Sequence, residues 1–140
     1  MTSETNIIET WLYSVLSGDA TLHALVADRI FNTIALQNSP YPCVVFQYQG
    51  GHDVMNVSTF RIMTDALYVV KGIAQSAVFA DVKPIADQVD TLLHGQAGTV
   101  AGLGTVLMSN REQPFQLLEQ DGDTHYRHLG GIYRIIAQTA

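Results

Sequence analysis

The residues best suited to chemistry in this sequence are five histidines and one cysteine. His125 and His128 stand three apart, and His52 with Asp53 could add metal ligands from another part of the chain. In an extended segment, residues three apart point to opposite faces, and the spacing also lacks the helical His-Glu pattern of zinc hydrolases. The sequence therefore predicts no metal site, and exposed or hydrogen-bonded histidines account for these residues.

A nucleophilic cysteine is the second chemical possibility. Cys43 directly follows a proline at the start of an apolar run, where a free cysteine is usually a small buried hydrophobe. The sequence has no glycine-flanked serine on a strand-to-helix elbow and no glycine–lysine loop for a nucleotide. The glycine-rich stretch "GQAGTVAGLG" (95–104) is predicted to be a loop. The sequence thus predicts no catalytic residue and no bound cofactor.

Composition narrows the class of protein. The chain has 140 residues, which predicts one domain over 1–140. Seven Lys and Arg against thirteen Asp and Glu give a net charge of −6, which excludes the basic stripe that nucleic-acid binding requires. Only 14% of residues are charged, below the usual quarter or so, which indicates a surface partly covered by partner subunits.

The sequence also suggests where the protein is made. A single cysteine fits a reducing compartment. The start "MTSETNIIETW" has neither the basic residues nor the apolar stretch of a signal peptide, and no run is long enough for a membrane helix. We therefore expect a soluble protein made in the cytoplasm.

Apolar residues recur at the spacing of one helical face near the start of the chain and again in its second half. The predicted helices run from Thr5 to Ser17 and from Asp81 to His94, with a short helix after Asp19 completing an N-terminal pair. Proline is tolerated only in the first turn of a helix, so Pro84 leaves the first residue of the central helix undetermined. The residues predicted to lie in the core are Trp11, Leu12, Val89 and Leu92.

Five extended segments are predicted from runs of β-branched and aromatic residues. They begin near Arg29, Cys43, Thr59, Thr105 and Leu129. The third would run to Lys71, and the fourth would end at Pro114. Together with the helices, they predict an α+β fold, in which a mostly antiparallel sheet has the N-terminal helix pair and the central helix packed on one face.

The last extended segment contains a paired glycine within "YRHLGGIYR" (126–134). Glycine inside a strand pattern usually marks a β-bulge or a place where another backbone or side chain approaches closely. A bulge that bends the last strand over the sheet would be enough to account for Gly130 and Gly131.

Three stretches taken in order resemble a known family. They are "LYSVLSGDATLHALVADRIF" (12–31), "PYPCVVFQ" (40–47) and "YRHLGGIYRIIAQ" (126–138). An N-terminal helix, a Gly-Asp corner, a proline-led strand, a central helix and this closing strand are similar to the tail-completion proteins of long-tailed bacteriophages. These proteins are also described as tail-terminator or tail-to-head joining proteins. The resemblance extends from about Ile8 to Gln138.

The resemblance implies a structural protein of the virion that assembles in the host cytoplasm. Its subunits would form a ring, typically a hexamer, that ends the tail tube at its head-proximal end. Its partners would be the tail tube protein and the head–tail connector protein, while DNA passes through without specific binding. The resemblance carries no catalytic residues. Two alternatives stay open: a head-completion protein of the same neck region, and a small enzyme or ligand-binding domain.

A ring needs contacts between subunits, and an exposed strand edge can supply them. We expect them in the strand from Thr59 to Lys71 and in the preceding "GGHDVMNVS" (50–58). Acidic side chains facing a channel would repel DNA at short range. The candidate residues for a subunit interface or the lumen are Asp53, Val54, Met55, Asp65, Gly130 and Gly131.

Overall fold

The structure is a computed structural model that describes residues 3–140. Within them lie three α-helices and six strands. The helices are α1 (Glu4–Ser17), α2 (Ala20–Val26) and α3 (Lys83–Leu93). The strands are β1 (Ile30–Asn32), β2 (Cys43–Met55), β3 (Arg61–Gln75), β4 (Gln96–Val100), β5 (Gly104–Asp121) and β6 (Thr124–Thr139).

The strands form one sheet in the order β1-β2-β3-β6-β5-β4. β1 pairs with β2 in parallel, and every other neighbouring pair is antiparallel. The three helices pack on one face of this sheet around a single large core. The predicted α+β fold, with a mostly antiparallel sheet and its helices on one face, is confirmed.

Side-chain caps explain where the two N-terminal helices begin. Ser3 accepts a hydrogen bond from the Asn6 N–H at 3.3 Å, and Asp19 accepts one from the Leu22 N–H at 2.8 Å. Each bond satisfies a backbone donor that the first helical turn leaves free. Apolar residues then recur on the sheet-facing side, and Trp11 and Leu12 are buried there as predicted.

The central helix begins later than predicted. Residues 79–81 form a 3-10 turn, and α3 starts at Lys83 with Pro84 in its first turn, where the missing N–H costs no helical hydrogen bond. Its inward stripe holds Val89 and Leu93, four residues apart and both fully buried. Leu92 lies half-buried beside that stripe and packs against it. The fully buried core residue is therefore Leu93, one position after the predicted Leu92.

The strands are longer than the sequence patterns indicated. β2 continues through the glycine pair 50–51 to Met55, with a register shift between Tyr48 and Gly50. Residues 95–104, predicted to be a loop, contain β4 and the turn into β5. β5 runs past Pro114, which lies beyond the part of the strand covered by β4, and an edge strand tolerates proline. Strong pairing partners therefore override glycine and proline as strand breakers here.

The face of the sheet opposite the helices carries a second, smaller cluster. Cys43, Val45 and Ile73 are buried there, and Phe31, Ala35, Tyr41 and Tyr126 pack against them. The segment between β1 and β2 (residues 33–42) lies over this cluster and covers one end of the face. Both faces of the sheet are therefore partly occupied within the subunit.

Candidate assembly surface

Two long stretches of strand edge are open in the described subunit. β1 covers only residues Val44–Phe46 of β2, which leaves 47–55 without a neighbour on that side. β4 covers β5 only as far as Ser109, and the Arg111 N–H donates to His94 Nδ1 at 3.0 Å, which leaves 112–121 open at the other side of the sheet. β3 lies between β2 and β6, so the edge expected along Thr59–Lys71 belongs instead to β2.

The turn that joins β2 to β3 forms an apolar tip. The Asn56 side chain accepts from the backbone N–H groups of Ser58 and Phe60 and fixes the turn. Around it, Met55 is 58% exposed, Phe60 is 71% exposed and Val57 is fully exposed. Large apolar side chains that cluster in this way on a surface commonly mark a contact with another protein.

The two aspartates proposed from the sequence do not come together. Asp53 pairs with Thr64 in the register and accepts a hydrogen bond from its hydroxyl at 2.7 Å. Asp65 is the next residue along β3, so it points to the opposite face. One aspartate thus lies on each face of the β2–β3 hairpin, with Asp53 on the open strand β2 and Asp65 on the interior strand β3. Val54, next to Asp53, is half-buried.

Asp65 belongs to a cluster of charges on the face away from the helices. The Arg134 guanidinium donates to Asp65 and to Glu112, and Glu112 is the extra residue of a β-bulge in β5. The hydrogen bond from Arg134 lowers the pKa of the Glu112 carboxyl. The bulge therefore aims a carboxylate at an arginine on the neighbouring strand, and the arginine links three strands.

Gly130 and Gly131 are buried in β6, an interior strand. Their register with β3 is unbroken, so the bulge expected at this pair is absent, and the nearby bulge belongs to β5. A Cβ on Gly130 would lie 2.1 Å from the Val70 carbonyl oxygen, and one on Gly131 would lie 2.6 Å from Cδ of Arg111. Close approach is the reason for the glycines.

Residues around the glycines alternate between the two faces. Tyr126 stacks against Tyr41, with ring centroids 5.2 Å apart, on the side away from the helices. Arg127 lies 4.9 Å from the centroid of Phe79 on the helix side. Tyr126 therefore contacts the segment between β1 and β2 on one face of the sheet, and Arg127 contacts the 3-10 turn at 79–81 on the other face.

Side-chain contacts between the helices and strands β3 and β6 were not foreseen from the sequence. Arg61 donates to Glu4 at 2.9 Å, Tyr68 donates to Glu9 at 2.8 Å and Tyr133 donates to Asp90 at 3.0 Å. Their partners are 43 to 59 residues apart in sequence, so no local pattern signals them. Burial raises the pKa of both tyrosines, which therefore stay neutral donors.

The candidate chemical residues lie on the strands β2 and β6. Cys43 is buried, and burial raises the pKa of its thiol to about 11. Among residues 3–140, no three His, Cys, Asp or Glu side chains lie close enough to share a metal ion. His125 and His128 occupy opposite faces of β6, as the spacing predicted. No helix within the described residues is long and apolar enough to cross a membrane.

Comparisons with known proteins agree with this geometry. A protein of a solved structure described as "Virion of native gene transfer agent (GTA) particle" has the same fold, with a TM-score of 0.77 over 99% of each chain. At 18% sequence identity, that likeness concerns the fold alone. A search of curated protein sequences finds no match. A family model described as "Tail completion protein gp17" matches residues 10–130, and this chain belongs to that family of phage tail completion proteins.

Proposed function

We propose that this chain forms a ring at the head-proximal end of a phage tail, where it ends the tail tube and joins it to the head connector. Family membership makes the chain a structural protein of the phage tail region. The ring, its expected hexameric state and its two partners are our inference. We also infer that the single domain over 1–140 works without catalysis, because a tail completion protein acts by assembly.

The observation that carries the proposal is the pair of open edges on opposite sides of one sheet. A ring with cyclic symmetry needs two different surfaces on each subunit, one for each neighbour. Residues 47–55 of β2 and 112–121 of β5 supply two such surfaces. Unpaired backbone groups along one edge would complete those along the other edge of the next subunit.

Strand direction supports the same junction. Three antiparallel pairings separate β2 from β5, so these strands run in opposite directions. Gln47 of β2 lies level with Gln113 of β5 across the sheet, so the two open stretches extend towards opposite ends of the sheet. If the strands are tilted to the ring axis, these stretches can meet, and β5 of one copy then pairs with β2 of the next in antiparallel orientation. Antiparallel pairing is slightly more stable per residue than parallel pairing.

The apolar tip and the aspartates lie along the β2 edge and fit the same junction. Met55, Val57 and Phe60 would be covered by the neighbouring subunit, which would explain their exposure in a single chain. Asp53 lies on the open strand and Asp65 one strand further in, on the opposite face; with Asp65 bound by Arg134, Asp53 is the one that would lie at the interface or the lumen. The net charge of −6 would let DNA pass without being held.

Substitution of Val57 by Lys tests the junction. Val57 is fully exposed, so the lysine should leave the stability of the single chain nearly unchanged but place a charge in the subunit contact. Val78→Lys is the matched control, because Val78 is also exposed but belongs to neither of the two open strands. Sedimentation velocity should show a ring for the wild type and for Val78→Lys, and mainly monomer for Val57→Lys.

Purified tail tubes and connectors separate the tail terminator from a head-completion protein. A terminator should bind the ends of tail tubes and fix their length in electron micrographs, whereas a head-completion protein should bind connectors alone. A wild-type chain that stays monomeric both alone and with tail tubes would refute the ring.

A further inference from the structure

A cavity lies on the face of the sheet away from the helices. Its volume is about 620 Å³, within the usual range of about 300–1,000 Å³ for small-molecule sites. Residues 33–41 form one wall, and side chains from β3, β5 and β6 form the floor. Hydroxyl, amide and charged groups dominate its lining, so it suits a polar ligand.

Lys71 supplies the positive charge on the floor of the cavity. Its Nζ lies 5.1 Å from the centroid of the Phe115 ring, and the register places Gly130 between the two residues. Because Gly130 has no side chain, the lysine can extend across β6 to β5. Among residues 3–140, no carboxylate lies within 4.0 Å of this ammonium. Burial lowers the pKa of Lys71, so an anion beside it would favour its charged form.

Glu119 supplies a carboxylate to the lining of the cavity, and this carboxylate is hydrogen-bonded to His128. Its Oε1 accepts from His128 Nε2 at 3.0 Å, and its side chain is 59% exposed. Burial lowers the pKa of His128, which keeps the imidazole neutral at pH 7 as the donor of this bond. Glu119 is therefore occupied by a neutral partner, and Lys71 is left as the group that can bind an anion.

We propose that this cavity binds a carboxylate, with the Lys71 ammonium as its ionic partner and the hydroxyls of Tyr41 and Tyr126 as neutral donors. The carboxylate could belong to a small dicarboxylic acid or to an acidic segment of a protein. Both sources offer the same chemistry to Lys71. The cavity shares Glu119 with the open β5 edge, but Lys71, Tyr41 and Tyr126 lie outside that edge, so binding by single subunits can be tested apart from ring formation.

The chain has only two lysines, Lys71 and Lys83, which makes the test direct. Lys83 is exposed at the start of α3 and serves as an internal control. Protein labelled with ¹³C at the lysine Cε should show two lysine signals. Succinate should move the Lys71 signal in a saturable way and leave the Lys83 signal in place, while uncharged succinamide should move neither.

Variants test the role of each group. Lys71→Met should weaken succinate binding, measured by calorimetry, by roughly ten- to a hundredfold, the effect of losing one charged hydrogen bond, whereas Lys83→Met should not change it. Glu119→Gln removes the competing carboxylate from an exposed position, so it should tighten binding and enlarge the shift of Lys71. Circular dichroism of each variant checks that the fold is retained.

A short acidic peptide, added in place of succinate, distinguishes the two sources. Tighter binding of the peptide than of succinate would indicate a protein segment, and weaker binding would indicate a small acid. The proposal is overturned if neither moves the Lys71 signal, if Lys83 moves in parallel, or if succinamide or inorganic phosphate binds as well as succinate.

Discussion

Replacing Gly130 by Ala tests the reason for the paired glycine in β6. The added Cβ would lie 2.1 Å from the Val70 carbonyl oxygen and 2.6 Å from Cα of Lys71. Real Cβ contacts essentially never fall below 3.0 Å, so β3 and β6 must separate by close to an ångström. Both obstructing atoms belong to the backbone, which cannot rotate away. We expect a loss in the free energy of unfolding at the upper end of overpacking costs, about 3 kcal/mol.

The neighbouring glycine supplies the control. A Cβ on Gly131 would meet Cδ and Cγ of Arg111 at 2.6 and 2.8 Å, and these atoms belong to a flexible side chain that can move. Gly131→Ala should therefore cost less than Gly130→Ala, about 1 kcal/mol or below. Urea denaturation of both variants gives the two free energies. Equal costs, or a larger cost at Gly131, would refute close backbone approach as the reason for Gly130.

Three other predictions follow from burial. Leu93→Ala should destabilise by about 2–5 kcal/mol, because Leu93 is fully buried, and half-buried Leu92→Ala should cost less; urea midpoints compare them. Burial lowers the pKa of His128 below its ordinary 6.5. As the pH falls, the unfolded chain therefore takes up a proton at this histidine before the folded chain does. Stability should therefore fall as pH drops through about 6.5, less steeply in His128→Gln. With its thiol pKa raised to about 11, Cys43 should react with Ellman's reagent only after unfolding.

Each of these predictions has a contrary outcome. A larger loss for Leu92→Ala than for Leu93→Ala would mean that α3 is rotated about its axis. An unchanged pH dependence in His128→Gln would assign that slope to another of the five histidines. Reaction of Cys43 in the native protein at pH 8 would show that the segment over it opens.

The helices could be predicted well because each depends on neighbours in sequence. The caps at Ser3 and Asp19 and the apolar spacing around Trp11 are local signals, and all of them correspond to observed elements. The strand ends could not be found in this way. Gly50 and Pro114 are breakers by local preference, but each lies within a strand because an adjacent strand pairs with it over a long stretch.

The candidate surface was only partly visible in the sequence. Met55 and Asp53 were named as candidates for a subunit interface or the lumen, which stays a prediction; both lie on β2, whose outer edge is open from residue 47. The cavity around Lys71 was missed, since its walls come from segments that are distant in the chain. A single lysine within the otherwise apolar run 66–74 of β3 was the one available sign.

The place of β6 has a consequence for synthesis of the subunit. β6 follows the other five strands in sequence but lies between β3 and β5, so these two have no shared neighbour until residues 124–139 have left the ribosome. About 64 residues separate the end of β3 from the end of β6. At roughly 5–20 residues per second, the inner edge of β3 stays uncovered for roughly 3–13 s. The interior of this sheet can therefore form only after β6 has been synthesised, and β3 and β5 must stay unpaired on their facing edges until then.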